Sequence, residues 1–298
     1  MLKLNGIFPP VTTPFDKSEE FKPDALHQNL QQLARYPLAG FLLLGSNGEA
    51  AMLSQKEKFS VLHTAREAVL PDKLMLAGTG CESTRETIIL TKEAARAGAD
   101  AAVVLNPSFY KSQMDAETLR AHYHSVADAS TIPIIIYNMP QNTGIDLSAE
   151  TILNIARHDN IVGLKDSGGD IQKLQNIVSN SKQNFQVLAG SAGFLLPALQ
   201  IGAVGGILAL ANIAPQVCLK IYNLFVENRL DDAFVLQQEI VELNISVTRK
   251  WGVPALKAAL DYLGMYGGVS RKPLLKASED AIGTVIMLLE KLQKEQQI

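Results

Sequence analysis

The sequence predicts a (β/α)8 barrel of the TIM type with a C-terminal helical extension. Three observations support this fold class. Eight short, β-rich apolar runs occur in order, segments with helical apolar spacing separate them, and residues 226–298 lack strand signals. A doubly wound open sheet is the alternative. That fold more often carries a glycine-rich dinucleotide fingerprint after its first strand, and the sequence has none there.

The predicted strands and helices follow from local signals. We expect strands at residues 6–11, 40–44, 74–77, 101–105, 133–137, 161–165, 185–189 and 204–210. Two segments, 54–57 and 83–86, match the capping box that begins a helix. Gly40, Gly98 and Gly202 each stand where a helix should end before a strand, and glycine tolerates the left-handed conformation of such a C-cap.

The chain divides into two predicted regions. Residues 1–225 form the barrel that carries the active site, and residues 226–298 form the helical extension packed on it. Within the extension we expect helices at about 230–247, 253–263 and 279–294.

The composition narrows the classes of function that the sequence allows. The 298 residues carry a formal charge of −3, which gives no electrostatic case for a nucleic-acid partner or an anionic membrane surface. The two cysteines imply neither a disulfide framework nor a structural zinc site, and no metal ligands cluster in the sequence. We expect no spanning helix, no targeting segment at the N-terminus, and a cytoplasmic location.

Lys165 is the most informative residue. It ends the apolar run 161–164, which predicts a buried parallel strand, and a Ser-Gly-Gly turn follows at 167–169. Partial desolvation at such an edge favours a neutral amine, which is a nucleophile. Tyr137 ends the apolar run 133–136 in the same way. Two strand ends that present lysine and tyrosine indicate covalent carbonyl chemistry with a proton shuttle.

Further polar residues follow other predicted strands, at the barrel end where active sites gather. The segment Gly-Ser-Asn-Gly at 45–48 is either a tight turn or a nest of backbone N–H groups that holds a carboxylate. The remaining strand ends contribute Tyr110 after strand four, Ser167 after strand six and Gly190 after strand seven.

Five segments then act together as a signature. They are Gly-Ser-Asn-Gly-Glu at 45–49, Tyr-Asn-Met-Pro-Gln-Asn-Thr-Gly at 137–144, Gly-Leu-Lys-Asp at 163–166, Ala-Gly-Ser at 189–191 and Arg-Lys-Pro-Leu at 271–274. In these segments the chain resembles the dihydrodipicolinate synthase/N-acetylneuraminate lyase family of Schiff-base-forming lyases. The resemblance implies a barrel with a helical C-terminal extension, assembled as a homotetramer, that acts on a small 2-oxo acid without a cofactor.

Within that family the chain is most similar to the 4-hydroxy-2-oxoglutarate aldolase branch. Segments 78–84, 165–170 and 185–193 look like those of that branch. Asn142 stands where a dihydrodipicolinate synthase would carry the arginine that binds the carboxylate of its second substrate. Losing a bidentate anion clamp is not a conservative change, which weakens the synthase interpretation.

The resemblance assigns roles to the site residues. Lys165 would form the Schiff base, and Tyr137 would transfer protons with help from Ser46 and from Tyr110 of a neighbouring subunit. Substrate binding would fall to Ser46, Asn47, Ser167, Gly190 and Ile207. The expected reaction is reversible cleavage of 4-hydroxy-2-oxoglutarate to pyruvate and glyoxylate. The alternatives are a 2-keto-3-deoxy sugar acid aldolase, dihydrodipicolinate synthesis, and a non-catalytic 2-oxo-acid sensor.

Overall fold

A computed structural model describes residues 2–296 of the chain and shows the predicted barrel. Eight parallel strands are hydrogen-bonded in the order β1-β8-β7-β6-β5-β4-β3-β2. The remaining gap is bridged because Leu42 donates its N–H to the Pro9 carbonyl and accepts from the Val11 N–H. The sheet therefore closes on itself, which confirms the (β/α)8 fold class.

The strands lie where the apolar runs predicted them. Their bounds are Gly6–Phe8 (β1), Gly40–Leu43 (β2), Leu74–Gly78 (β3), Ala101–Leu105 (β4), Ile134–Asn138 (β5), Ile161–Asp166 (β6), Gln186–Ala189 (β7) and Gly205–Ile207 (β8). The first and last strands are shorter than predicted. Pro9 and Pro10 have no N–H groups to extend the ladder of β1, and the chain after β8 tightens into the 3₁₀ turn Ala209–Asn212.

Helices alternate with these strands. Their bounds are Pro23–Leu33 (α1), Gln55–Ala68 (α2), Thr84–Arg96 (α3), Ala116–Ala129 (α4), Pro140–Thr143 (α5), Ala149–Ile155 (α6), Ile171–Asn180 (α7), Leu195–Gln200 (α8) and Pro215–Val226 (α9). The expected capping box forms fully at α2, where Ser54 and Glu57 bond reciprocally. At α3 only the Ser83 side chain caps, by accepting from the Glu86 N–H.

Two of the three predicted glycine caps are correct. Gly98 and Gly202 have φ values of +87° and +102°, as a left-handed C-cap requires. Gly40 instead begins β2, and its prediction as a cap was wrong. A Cβ there would lie 2.1 Å from the Leu74 carbonyl oxygen, so glycine is needed at this position for close approach of β3.

The core has two layers. An outer layer fills the space between strands and helices, and a smaller cluster fills the barrel interior. The fully packed interior cluster consists of Leu4, Phe8, Leu42, Leu76, Ala101, Val103, Ile135, Tyr137, Leu188 and Ile207. Tyr137 is thus a member of the interior layer, at its upper edge.

The C-terminal extension is helical, as predicted, but is divided differently. The segment expected as one helix forms Leu230–Glu239 (α10), Val241–Ile245 (α11) and the π-helical turn Ser246–Lys250. Gly252–Tyr262 (α12) and Glu279–Gln296 (α13) follow. The proposed boundary near residue 225 coincides with the end of α9, and treating the extension as a separate domain stays a proposal. Among residues 2–296, no helix combines the length and apolarity needed to cross a membrane.

Candidate active site

Lys165 and Tyr137 are brought together by sheet register. The two residues are directly paired between β6 and β5, so their side chains leave neighbouring strands on the same face. The Lys165 Nζ lies 3.8 Å from the centroid of the Tyr137 ring. Both are buried, with 3% and 5% of their surface exposed. The structure therefore places an amine and a phenol side by side above the barrel core.

The environment of the Tyr137 phenol makes its ionisation easier than in free tyrosine. Burial alone would raise the pKa of this phenol. The Lys165 charge and hydrogen bonds from Ser46, Lys165 and Ser167 outweigh that effect, so the pKa lies below its ordinary value. The Ser46 Oγ is 3.4 Å from the phenol oxygen. The predicted contact between Ser46 and Tyr137 is thus present within a single chain.

The residue after Lys165 shapes the turn that holds Ser167. The fully buried Asp166 carboxylate accepts hydrogen bonds from the Gly168 N–H at 2.8 Å and from the Asn138 side chain at 2.7 Å. The Ser167 N–H donates to the Asn138 carbonyl. This network fixes the end of β6 against that of β5. Asp166 and Asn138 were not predicted as site residues, although both lie in the signature segments.

Gly190 contributes by being small. Its N–H donates to the Asp166 carbonyl, and a Cβ at this position would meet the Ser167 Oγ at 2.1 Å. Any other residue would push Ser167 away from the cavity. Close backbone approach is therefore the physical reason for glycine at this strand end.

A cavity of about 810 Å³ opens over these residues. Six of the eight predicted site residues line it: Ser46, Asn47, Tyr137, Lys165, Ser167 and Gly190. Asn142, the position that distinguishes the chain from synthases, lies on the wall as well. The cavity is large enough for a small dicarboxylic 2-oxo acid.

The other two predicted residues lie elsewhere. Ile207 ends β8, is fully buried in the interior cluster with Tyr137 and is not among the residues that line this cavity. Its role in shaping the pocket stays a prediction. Tyr110 does not reach the cavity of its own chain; it is 64% exposed and stacks edge-on against Phe109.

Part of the cavity wall comes from the extension, which sequence reasoning missed. The lining residues from this region are Val247, Thr248, Arg249, Trp251, Gly252, Val253, Pro254 and Leu274. They follow no barrel strand, so the rule that active sites gather at strand ends could not find them.

A buried charge network joins the Ser46 turn to the extension. Glu49, which adopts a left-handed conformation, is ion-paired with Lys257 at 2.6 Å, and both side chains are almost fully buried. The second Glu49 carboxylate oxygen accepts a hydrogen bond from the backbone N–H of Arg271. The Arg271 guanidinium in turn pairs with Glu57 and lowers the pKa of that carboxyl to about 2. The turn carrying Ser46 and Asn47 is therefore held from both sides.

Among residues 2–296, no group of three or more histidine, cysteine, aspartate or glutamate side chains could hold a metal ion. A buried amine beside a phenol, at the mouth of a (β/α)8 barrel, is the arrangement expected of an enzyme that works through a Schiff base. The sequence profile of the Dihydrodipicolinate synthetase family matches residues 3–292, and the chain belongs to this family. It is a pyruvate-dependent carbon–carbon lyase of the Schiff-base type.

Relatives in the family differ in substrate. The chain is 35% identical to the "Probable 4-hydroxy-2-oxoglutarate aldolase, mitochondrial" of Emericella nidulans, over 98% of the chain and 96% of the relative. It is 34% identical to the L-threo-3-deoxy-hexylosonate aldolase of Hypocrea jecorina, covering 94% of the chain and 93% of the relative. It is 32% identical to the 4-hydroxy-tetrahydrodipicolinate synthase of Methanothrix thermoacetophila, covering 93% of each.

Solved structures agree in fold. The dihydrodipicolinate synthase DapA-2 of Bacillus anthracis superimposes with a TM-score of 0.93 at 25% identity, covering 97% of this chain and 99% of that one. YagE, a prophage protein of E. coli K12 solved in complex with pyruvate, gives 0.91 at 28% identity, covering 98% and 99%. The family and fold expected from the signature segments are confirmed.

Proposed function

We propose that the enzyme is a class I aldolase that cleaves 4-hydroxy-2-oxoglutarate reversibly to pyruvate and glyoxylate. The observation that carries the proposal is the contact between Lys165 and Tyr137, which supplies an amine and a proton carrier at one place. The substrate is favoured by Asn142 on the cavity wall, where a synthase would need an arginine. The relative in Emericella nidulans carries the same activity in its name.

The reaction would begin at Lys165. As a free amine, its nitrogen attacks the C2 carbonyl carbon of the substrate, and loss of water gives a protonated imine. The imine withdraws electrons from C3. The Lys165 nitrogen lies 3.8 Å from the centroid of the Tyr137 ring, so an imine formed there would lie beside this side chain.

Tyr137 would then take the proton from the C4 hydroxyl. The C3–C4 bond then breaks and its electrons pass to the imine. Glyoxylate is released, and the pyruvate half remains on Lys165 as an enamine. Protonation of the enamine at C3 restores the imine, and hydrolysis frees pyruvate and the Lys165 amine. The lowered pKa of Tyr137 supports this role, because a larger fraction of the phenol is ionised near neutrality than in free tyrosine.

Ser46 and Asn47 would bind the C1 carboxylate. In the 3₁₀ turn Ser46–Gly48, the Gly48 and Glu49 N–H groups bond within the turn, which leaves the side chains and the first N–H groups for an anion. Ser167 would lie beside the imine, held in place by Gly190. Segment 45–48 can therefore be both a tight turn and an anion-binding nest, which are the two interpretations that its sequence allows.

A product assay tests the proposal directly. The purified chain should release pyruvate and glyoxylate in equal amounts from 4-hydroxy-2-oxoglutarate, without added metal or cofactor. A higher kcat/KM for 2-keto-3-deoxy sugar acids would replace this substrate with the second candidate, which the 34% identity to the Hypocrea jecorina aldolase supports. Turnover of pyruvate with aspartate semialdehyde in a coupled assay would instead favour the synthase reaction.

We also propose that the chain assembles as a homotetramer in which Tyr110 completes the relay of a neighbouring site. Phe109 and Tyr110 are 77% and 64% exposed in the single chain, at the barrel end that holds the cavity. Phe109→Asp should therefore give smaller species in sedimentation velocity and lose activity. Met287→Asp, a control at an equally apolar exposed position on α13, should do neither. A fully active wild-type monomer would contradict the proposal. The cytoplasmic location stays a prediction.

A further inference from the structure

Arg249 belongs to the π-helical turn of the extension and lines the cavity. The turn has a wide hydrogen bond, in which the Trp251 N–H reaches the Ser246 carbonyl five residues back. Single π-helical turns are frequent at functional sites because they reorient side chains within a helix. Arg249 adds a cationic side chain from the extension to a cavity that Lys58 and Lys165 of the barrel also line.

The position of this turn is fixed relative to the strands. The Asn244 side chain of α11 donates to the Ser191 Oγ at 3.0 Å, which ties the extension to the segment after β7. The turn also packs against residues 209–212, which follow β8. Arg249 therefore lies on the β7–β8 side of the mouth, close to the strand that carries Lys165.

The charged side chains that line the cavity differ between its β3 side and its β7 side. Its carboxylates are Glu49, which is paired with Lys257, and Glu82, which follows β3. Strands β3 and β7 lie opposite each other in the eight-stranded ring. Glu82 accepts hydrogen bonds from the backbone N–H groups of Ser108 and Phe109, and Lys58 lines the cavity near it. The β3 side therefore carries charges of both signs, and its carboxylate would repel a substrate anion.

Arg249 is exposed to solvent in the single chain while it lines the cavity. Within residues 2–296, its guanidinium takes part in none of the hydrogen bonds or ion pairs, whereas Arg271 and Arg66 are both fully engaged. Glyoxylate carries a carboxylate next to the aldehyde carbon. A partly desolvated carboxylate needs a charged or multiply donating partner, and arginine binds it through two parallel N–H bonds. Asn142 is neutral and cannot neutralise that charge.

We propose that Arg249 is the specificity-determining residue that binds the carboxylate of the aldehyde half of the substrate. The inference rests on the proposed function and names the group that selects glyoxylate over uncharged aldehydes. The clamp moves from the loop after β5, where a synthase carries it, to the helical extension. Lys165 and the pyruvate half of the site are unaffected by this assignment.

Condensation of pyruvate with two aldehydes tests the inference. The assay compares glyoxylate with glycolaldehyde, a neutral analogue that has CH₂OH in place of the carboxylate. Arg249→Gln should lower kcat/KM for glyoxylate by about 10- to 100-fold and leave that for glycolaldehyde nearly unchanged. The borohydride-trapped pyruvate adduct should form in the variant as in the wild type. Arg249→Lys should recover part of the preference, because it keeps the charge without the bidentate geometry.

Lys250→Gln is the matched control. Lys250 is the next cation on the same turn, but it lies 4.1 Å over the Trp251 ring and does not line the cavity. Lys250→Gln should leave kcat/KM for both aldehydes unchanged. Equal losses for both aldehydes in Arg249→Gln, or no loss, would overturn the inference while leaving the proposed function intact. No turnover of glyoxylate by the wild-type chain would overturn the proposed function, and the inference with it.

Discussion

Replacing Lys165 by alanine is expected to abolish aldol cleavage, with a loss of roughly 10⁴-fold or more in kcat, because its amine is the group that would form the imine. Borohydride added together with pyruvate should reduce the imine of the wild-type enzyme and attach the mass of the reduced pyruvate to Lys165. Intact mass spectrometry should find no adduct in Lys165→Ala. The measurement shows whether the covalent step depends on this one amine.

Two further variants make this result specific. Lys58→Ala removes another lysine that lines the cavity. This variant should still form the adduct, because Lys58 lies on α2 and not at a strand end beside Tyr137. Lys165→Met fills the buried space of the original side chain and should fold like the wild type while staying unreactive. An adduct on a peptide other than the one containing residue 165 would refute the Schiff-base assignment.

The sequence could predict the barrel and the central pair for one physical reason. In parallel β/α units every strand ends at the same edge, so residues that end separate apolar runs must converge. Lys165 and Tyr137 end adjacent runs, and their direct pairing between β6 and β5 follows from that rule. Ser46, Ser167 and Gly190 meet at the cavity for the same reason.

Other features could not be predicted from local patterns. The ion pair between Glu49 and Lys257 joins residues far apart in the chain, and no local sequence pattern at either residue predicts its partner. The prediction ends one helix at residue 247 and begins the next at 253, so it places Arg249 between helices and misses the π-helical turn Ser246–Lys250. Ile207 ends the short strand β8 and is fully buried in the barrel interior, so its position at a strand end does not by itself show whether its side chain reaches the mouth.

Tyr137→Phe should uncouple the two halves of the mechanism. Phenylalanine keeps the ring that packs in the barrel interior and that lies against the Lys165 nitrogen, so the fold and the borohydride adduct should both persist. Turnover should fall by about 10²- to 10⁴-fold, the range expected when a general acid–base group is removed. Full activity in this variant would exclude the tyrosine from proton transfer.

The pH dependence of Ser46→Ala identifies the proton carrier more closely. Cleavage requires Tyr137 without its proton, so kcat should rise with pH through the pKa of this phenol. The Ser46 hydroxyl helps to lower that pKa, and its removal should therefore move the rise to higher pH and reduce activity near neutrality. At pH values above the rise, Ser46→Ala should approach the wild-type rate, whereas Tyr137→Phe should not. If both variants lost activity equally at every pH, Ser46 would act on the substrate alone, and the lowered pKa of the phenol would have no part in the reaction.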